Sequence, residues 1–160
     1  MKNKTKIIFS WFLVGITMLI IFNFSDQSSQ TSSETSEDVV VQFLDVFMEK
    51  EDITPPLVQK FQFPVRKVAH FSIYMLLGFC MINALEQSFK TKRALNIILS
   101  IGVCFLYAIS DEIHQNFSAG RGPDFVDVIV DVCGSIIGTT LFLLFFIFYN
   151  KFTHKKSRNS

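Results

Sequence analysis

The stretch SDEIHQNFSAGRGPDFVDVIVDVCGSIIG, residues 110–138, gathers ionisable side chains at the end of one apolar run and the start of the next. Charged groups at the edge of a membrane span are costly, so they indicate a functional site by default. Most of the remaining apolar sequence lies in runs before and after this stretch. It therefore predicts both a membrane protein and the position of its site.

The apolar runs have the length of membrane helices. Hydrophobic residues make up 49% of the 160-residue chain, and charged residues only 18%. A helix of about 18 residues rises about 27 Å, close to the thickness of the hydrocarbon core of a bilayer. Runs of this length lie at residues 7–24, 68–85, 94–110 and 126–148. We expect an all-α membrane protein with a four-transmembrane-helix bundle; no cleavage motif follows the first run, which favours a retained span.

The charges are distributed asymmetrically, although the net charge is only +1. Most basic residues flank the start of the first run, the connection between the second and third runs, or the tail. Every acidic residue except Glu86 lies in the other two connections or at the adjoining helix ends. The positive-inside rule then predicts a multi-pass plasma-membrane protein with both termini in the cytoplasm. Because topology explains the basic residues, nucleic acid is not expected as a partner.

The segment between the first two spans is more polar. Residues 23–34 are rich in Ser, Thr and Gln and predict a mobile linker. The sequence TSED at 35–38 matches a helix-start pattern, and apolar residues recur behind it at helical spacing. This pattern predicts an extracytoplasmic amphipathic helix that ends at Pro55 and either packs on the spans or binds a partner.

The chain divides into regions on this basis. The predicted regions are residues 1–24, a cytoplasmic stub and first span; 25–64, an extracytoplasmic linker with the amphipathic helix; 65–150, a three-helix core; and 151–160, a basic cytoplasmic tail. The cysteines, Cys80, Cys104 and Cys133, all lie in predicted spans. We expect free thiols rather than a disulfide framework or a metal site.

The fourth span has a polar stripe and a small-residue motif on the same face. Asp124, Asp127 and Asp131 follow one another at spacings of three and four residues, and Gly134 and Gly138 continue the stripe. Carboxylates cannot face lipid, so this face is expected to point into the bundle. The GxxxG motif would let a neighbouring helix approach closely.

The predicted topology brings polar residues of three spans to the outer end of the bundle, where they should form an outward-facing pocket. Arg121 lies on the turn above it. The residues that we expect to work there, as acid–base groups, are His70, Glu112, His114, Asp127 and Asp131. The residues that we expect to bind are Arg66, Lys67, Tyr74, Asp111, Gln115, Arg121 and Asp124.

Three interpretations of this pocket stay open. In the first, Arg66, Lys67 and Arg121 pair with the carboxylates, and the network only holds the bundle together. In the second, the pocket binds a polar headgroup or performs acid–base chemistry on it. In the third, His and Asp/Glu side chains bind a divalent metal. No metal ligand is assigned, because the sequence shows no known metal-binding spacing.

The second interpretation depends on how the groups would behave together. Asp127 and Asp131, one turn apart in a medium of low dielectric constant, cannot both be charged cheaply. His70 or His114 beside such a carboxylate would suit a proton relay or a general base. Arg66 and Arg121 could hold a phosphate or a carboxylate.

The motifs RKxxHFxxY at 66–74, SDExHQxF at 110–117 and GRxxDxxDxxxDxxGxxxG at 120–138 resemble, in order and spacing, the VanZ-like family of small bacterial membrane proteins. The resemblance implies a multi-pass plasma-membrane protein, typically from Gram-positive bacteria. The namesake of the family is associated with low-level resistance to teicoplanin. The resemblance marks the motif positions as important but implies no particular reaction or cofactor.

Together, these observations favour a protein that binds or handles an envelope lipid or a lipid-anchored headgroup. Such a protein would reduce the access of a lipophilic glycopeptide to the cell surface. One alternative is a membrane enzyme that acts on such a lipid, with His114 and Asp127 as the acid–base pair. Another is a structural bundle whose charges fix the helix register.

Overall fold

The apolar runs fold as helices. The computed structural model describes residues 4–25, 29–46, 54–89, 91–117 and 125–158. No strand occurs within those ranges, which confirms the predicted all-α class. The helices are α1 (Lys4–Ser25), α2 (Ser29–Asp45), α3 (Pro55–Ser88), α4 (Arg93–Phe117) and α5 (Phe125–Arg158).

Helices α1, α3, α4 and α5 are long and apolar enough to cross a membrane. Their outward side chains are large and apolar: Leu106 is 66% exposed and Phe145 is 62% exposed. A soluble protein rarely shows so large an apolar surface, whereas lipid tails accept it. The predicted four-helix transmembrane bundle is therefore confirmed.

Helix α3 lies at the centre and packs against every other helix. Its closest partner is α5, and glycines form the contact. A Cβ atom at Gly138 would overlap the carbonyl oxygen of Met75, and one at Gly134 would overlap that of Phe71. The predicted role of the GxxxG motif is confirmed, because only glycine lets the two backbones approach this closely.

The end of the bundle that contains the α3–α4 connection is called the Glu86 end. There, Trp11 Nε1 donates a hydrogen bond of 2.8 Å to Ser88 Oγ and joins α1 to α3. Asn96 Nδ2 donates one of 2.8 Å to Glu86 Oε1 and joins α4 to α3. The end that contains Asp111 is called the site end. The cysteines are free, as predicted.

The polar segment before α3 is more helical than predicted. Helix α2 begins at Ser29, so residues 29–34, which were predicted to be a linker, are helical, and their mobility stays a prediction. Helix α2 packs its apolar residues Val40 and Leu44 against Val58 on α3. This tertiary contact stabilises the predicted amphipathic helix, which begins earlier in the chain than its predicted start at 35–38.

The prediction that Pro55 ends this helix is also wrong. Helix α2 ends at Asp45, and Pro55 lies in the first turn of α3, where a missing backbone N–H costs nothing. Helix α3 has 34 residues, about 51 Å at 1.5 Å per residue. It is therefore longer than a bilayer core of about 30 Å, and its N-terminal turns extend beyond the site end to meet α2.

Helix α4 also continues further than expected. The predicted third span ended at residue 110, whereas the helix continues to Phe117. The polar residues of the SDExHQ motif therefore lie in the last turns of a helix rather than in a loop. Their side chains are consequently fixed at helical spacing around the axis of α4.

Candidate functional site

Asp127 and Asp131, the described part of the acidic stripe, face the interior of the bundle, as predicted. Asp127 and Asp131 are both buried, with exposed fractions of 6% and 2%. Lys67 on α3 forms an ion pair with Asp127. This pair agrees with the structural interpretation for one of the carboxylates, because a buried charge needs a partner.

The second carboxylate of the stripe lies in a different setting. His70, Asp111 and Asp131, from three different helices, bring one nitrogen and two carboxylate oxygens within 4.8 Å of one another. His70 Nδ1 lies 3.5 Å from Asp131 Oδ1. We call these three residues the histidine–carboxylate cluster. Such a donor set can relay a proton or bind a cation.

Tyr74 is a buried polar residue next to this cluster. It follows His70 by one helical turn and has an exposed fraction of 0%. Its hydroxyl group has no hydrogen-bond partner among the described residues. It is close enough to Asp111 and Asp131 to interact electrostatically with both. A buried hydroxyl group without a partner is uncommon and calls for an explanation.

Asp111 is held in place by two hydrogen bonds. Ser25 Oγ on α1 donates to Asp111 Oδ1 over 2.5 Å, and Gln115 Nε2 donates to Oδ2 over 3.0 Å. Ser25 was not among the predicted site residues, which all came from the second, third and fourth spans and the turn between them. The polar sequence NFSD at the end of the first run was the available signal.

A groove of about 280 Å³ lies between α1 and α4 at the site end. The residues that line it are Phe22, Tyr107, Ser110, Asp111, Ile113 and His114. The ring of His114 stacks on that of Phe22, with 4.6 Å between the centroids. Asp111 therefore belongs both to the groove and to the histidine–carboxylate cluster.

The two predicted histidines have different surroundings. His70 lies in the cluster, whereas His114 lies in the groove. The acid–base pair considered in the sequence analysis, His114 with Asp127, is not brought together: His114 stacks on Phe22, and Asp127 pairs with Lys67. The histidine beside the acidic stripe is instead His70, which lies 3.5 Å from Asp131.

The structure gives less information about the remaining predicted site residues. Glu112 is buried on α4, and Arg66 is partly buried on α3. Arg121 and Asp124 lie outside the residues that the structure describes, so their roles stay predictions. Their place beside the site therefore still depends on the sequence alone.

Comparison with known proteins agrees with the resemblance seen in the sequence. The model of the family described as VanZ/LLP1 matches residues 9–147. The match extends from α1 to α5 and includes every member of the histidine–carboxylate cluster. No curated protein matches the chain, and no solved structure matches it.

Proposed function

We propose that this chain, which belongs to the VanZ/LLP1 family, binds or handles the headgroup of a cell-envelope lipid or lipid-anchored molecule. The groove between α1 and α4 is the proposed binding site. The observation that carries the proposal is the composition of this groove: apolar side chains at its rim, and Asp111 and His114 in its wall.

The rim of the groove suits a ligand that arrives from within the bilayer. Phe22 and Ile113 line the groove and are 47% and 56% exposed, so they would also contact acyl chains around the bundle. Ser110, Asp111 and His114 offer hydroxyl, carboxylate and imidazole groups to a headgroup. An amphiphile could thus leave its chain in lipid while its polar part enters the groove.

The charge distribution supports an outward orientation of the groove. Lys4, Arg93 and Lys151 lie toward the Glu86 end, where the positive-inside rule predicts the cytoplasm. Both termini would then be cytoplasmic, and the groove would face the outer leaflet. A protein that occupies or handles envelope lipids there would lower susceptibility to teicoplanin-type lipoglycopeptides, which need access to that surface.

Filling the groove tests this proposal. Ser110→Trp places a large side chain in the groove, and Leu106→Trp, one turn earlier on α4, is the matched control on the outward surface. We expect the native chain and Leu106→Trp to raise the teicoplanin concentration that inhibits a Gram-positive host. Ser110→Trp should lose this effect at an equal membrane level, measured by immunoblot. Equal protection by both tryptophan variants, or none by the native chain, would overturn the proposal.

A second function is favoured by the proximity of His70 and Asp131. An imidazole 3.5 Å from a buried carboxylate could act as a general base on a lipid substrate. An enzyme must change the lipid composition of the cell, whereas a binding protein need not. Lipid profiling of cells that carry the native chain or Asp131→Asn therefore separates the two functions.

A further inference from the structure

We propose that His70, Asp111 and Asp131 bind a divalent transition-metal ion, with Zn²⁺ and Mn²⁺ as the ions that suit the donor set. No metal-binding spacing is visible in the sequence because the three proposed ligands come from three different helices. One imidazole nitrogen with carboxylate oxygens is a donor set used for both ions. This proposal does not depend on what the groove binds.

The distance between the donor atoms supports the site. Ligand atoms about 2.0–2.2 Å from a tetrahedral Zn²⁺ ion lie about 3.3–3.6 Å from each other. His70 Nδ1 and Asp131 Oδ1 are 3.5 Å apart, and one potential ligand atom from each of His70, Asp111 and Asp131 lies within 4.8 Å of the other two. The separation of the first two atoms is that of two neighbouring ligands, and a small movement of Asp111 would complete the set.

The same two atoms lack other partners. Both His70 Nδ1 and Asp131 Oδ1 are buried, and neither has a hydrogen-bond partner among the described residues. Polar atoms buried without partners are costly. A shared metal ion would satisfy both, because imidazole nitrogen and carboxylate oxygen each donate a lone pair to it.

The charge of the site also fits a divalent cation. Asp111 and Asp131 have exposed fractions of 4% and 2%. Lys67, the lysine beside them, forms an ion pair with Asp127. An ion of charge +2 would balance two carboxylates beside a neutral imidazole.

Tyr74 provides an independent observation. Its hydroxyl group, fully buried next to the cluster, has no hydrogen-bond partner among the described residues, although Asp111 and Asp131 are within electrostatic range. A carboxylate ligand or a metal-bound water would accept its proton in a hydrogen bond. Ser25 and Gln115 already hold Asp111 in the way that neighbouring groups commonly orient a metal ligand.

The test uses the full chain, purified in detergent and treated with a chelator. Titration calorimetry with Zn²⁺ and with Mn²⁺ should show one ion bound per chain. In a thermal scan, the bound ion should raise the temperature of unfolding. Mn²⁺ prefers oxygen and nitrogen to thiolate, so its binding separates the cluster from the free cysteines. We expect Asp131→Asn and His70→Gln to weaken binding by at least about 100-fold, and Tyr74→Phe by about 10-fold or more.

Glu86→Gln is the matched control, since it neutralises a partly buried carboxylate at the opposite end of the bundle. It should bind the ion like the native chain.

If Asp131→Asn does not fold, Tyr74→Phe, which keeps all three ligands, still tests the site. The proposal is overturned if the native chain binds neither ion. It is also overturned if Asp131→Asn binds the ion as tightly as Glu86→Gln does. A third result that overturns it is an Asp131→Asn variant more stable than the native chain at every ion concentration. A proton shared between the carboxylates would then explain the cluster without a metal ion. Ser110→Trp should bind the ion normally, so this test and that of the groove can fail separately.

Discussion

Gly138→Ala should destabilise the bundle, although alanine is the better helix former. A methyl group at this position would overlap the Met75 carbonyl oxygen and lie 3.0 Å from the backbone nitrogen of Phe79. The obstacle is the backbone of α3, which cannot rotate away as a side chain can. Helices α3 and α5 would therefore have to separate, and a gap of 0.5–1 Å forfeits about a quarter to a half of each contact.

The magnitude follows from two opposing effects. Overpacking costs about 1–3 kcal/mol, and the upper part of this range applies because the clash is with backbone. The gain in helix propensity from glycine to alanine is about 1 kcal/mol. We expect a net loss of about 2 kcal/mol in the free energy of unfolding, measured by circular dichroism as the chain is transferred from mild detergent to sodium dodecyl sulfate.

Gly102→Ala is the matched control. A Cβ atom there would have nothing within 4 Å, so only the propensity gain of about 0.5–1 kcal/mol remains. The two substitutions make the same chemical change but should have opposite signs. If Gly138→Ala were as stable as Gly102→Ala, the close backbone contact between α3 and α5 would be refuted.

Two further substitutions test the polar contacts at the site end. Lys67→Met should destabilise the chain by about 3–5 kcal/mol, because it leaves the buried Asp127 carboxylate without its partner. Adding Asp127→Asn should restore most of this loss in a double-mutant cycle, and two additive losses would contradict the pairing. Ser25→Ala should cost about 1.5–3 kcal/mol, since it removes a hydrogen bond to the Asp111 carboxylate. Ser72→Ala, which removes an exposed hydroxyl that bonds only to its own helix, is the control and should change the unfolding free energy by under about 0.5 kcal/mol.

The sequence predicted the membrane spans and the inward face of α5 correctly. Both follow from a strong physical constraint: lipid tolerates apolar side chains and excludes carboxylates. Asp127, Asp131 and the two glycines of the GxxxG motif can satisfy this constraint only by facing the bundle. Topology alone also placed His70 at the same end as Asp111.

The partners within the site could not be predicted in the same way. Which side chains meet depends on how each helix is rotated about its axis, and α4 presents polar groups on two sides. Asp111 lies near His70 on α3 and Asp131 on α5 and also bonds to Ser25 on α1, whereas His114 stacks on Phe22 of α1. Their spacing in the sequence permits either histidine to approach the aspartates. The packing of α1, which supplies Ser25 and Phe22, resolves the choice.

Helix boundaries outside the apolar runs were the least predictable feature. The polar start of α2 has no pattern of its own that favours a helix, and its stability comes from the contact of Val40 and Leu44 with Val58. Proline is common both after the end of a helix and in the first turn of one, so Pro55 alone does not show which applies. Here it lies in the first turn of α3, because this helix starts well before its apolar part.

Asp111 is the one side chain common to the groove and the histidine–carboxylate cluster. Any molecule, ion or proton that changes the charge of this carboxylate from one side changes its availability on the other. Thermodynamic linkage requires such an influence to be mutual and equal in free energy. A ligand in the proposed groove and an ion in the proposed metal site would therefore influence each other through this single carboxylate.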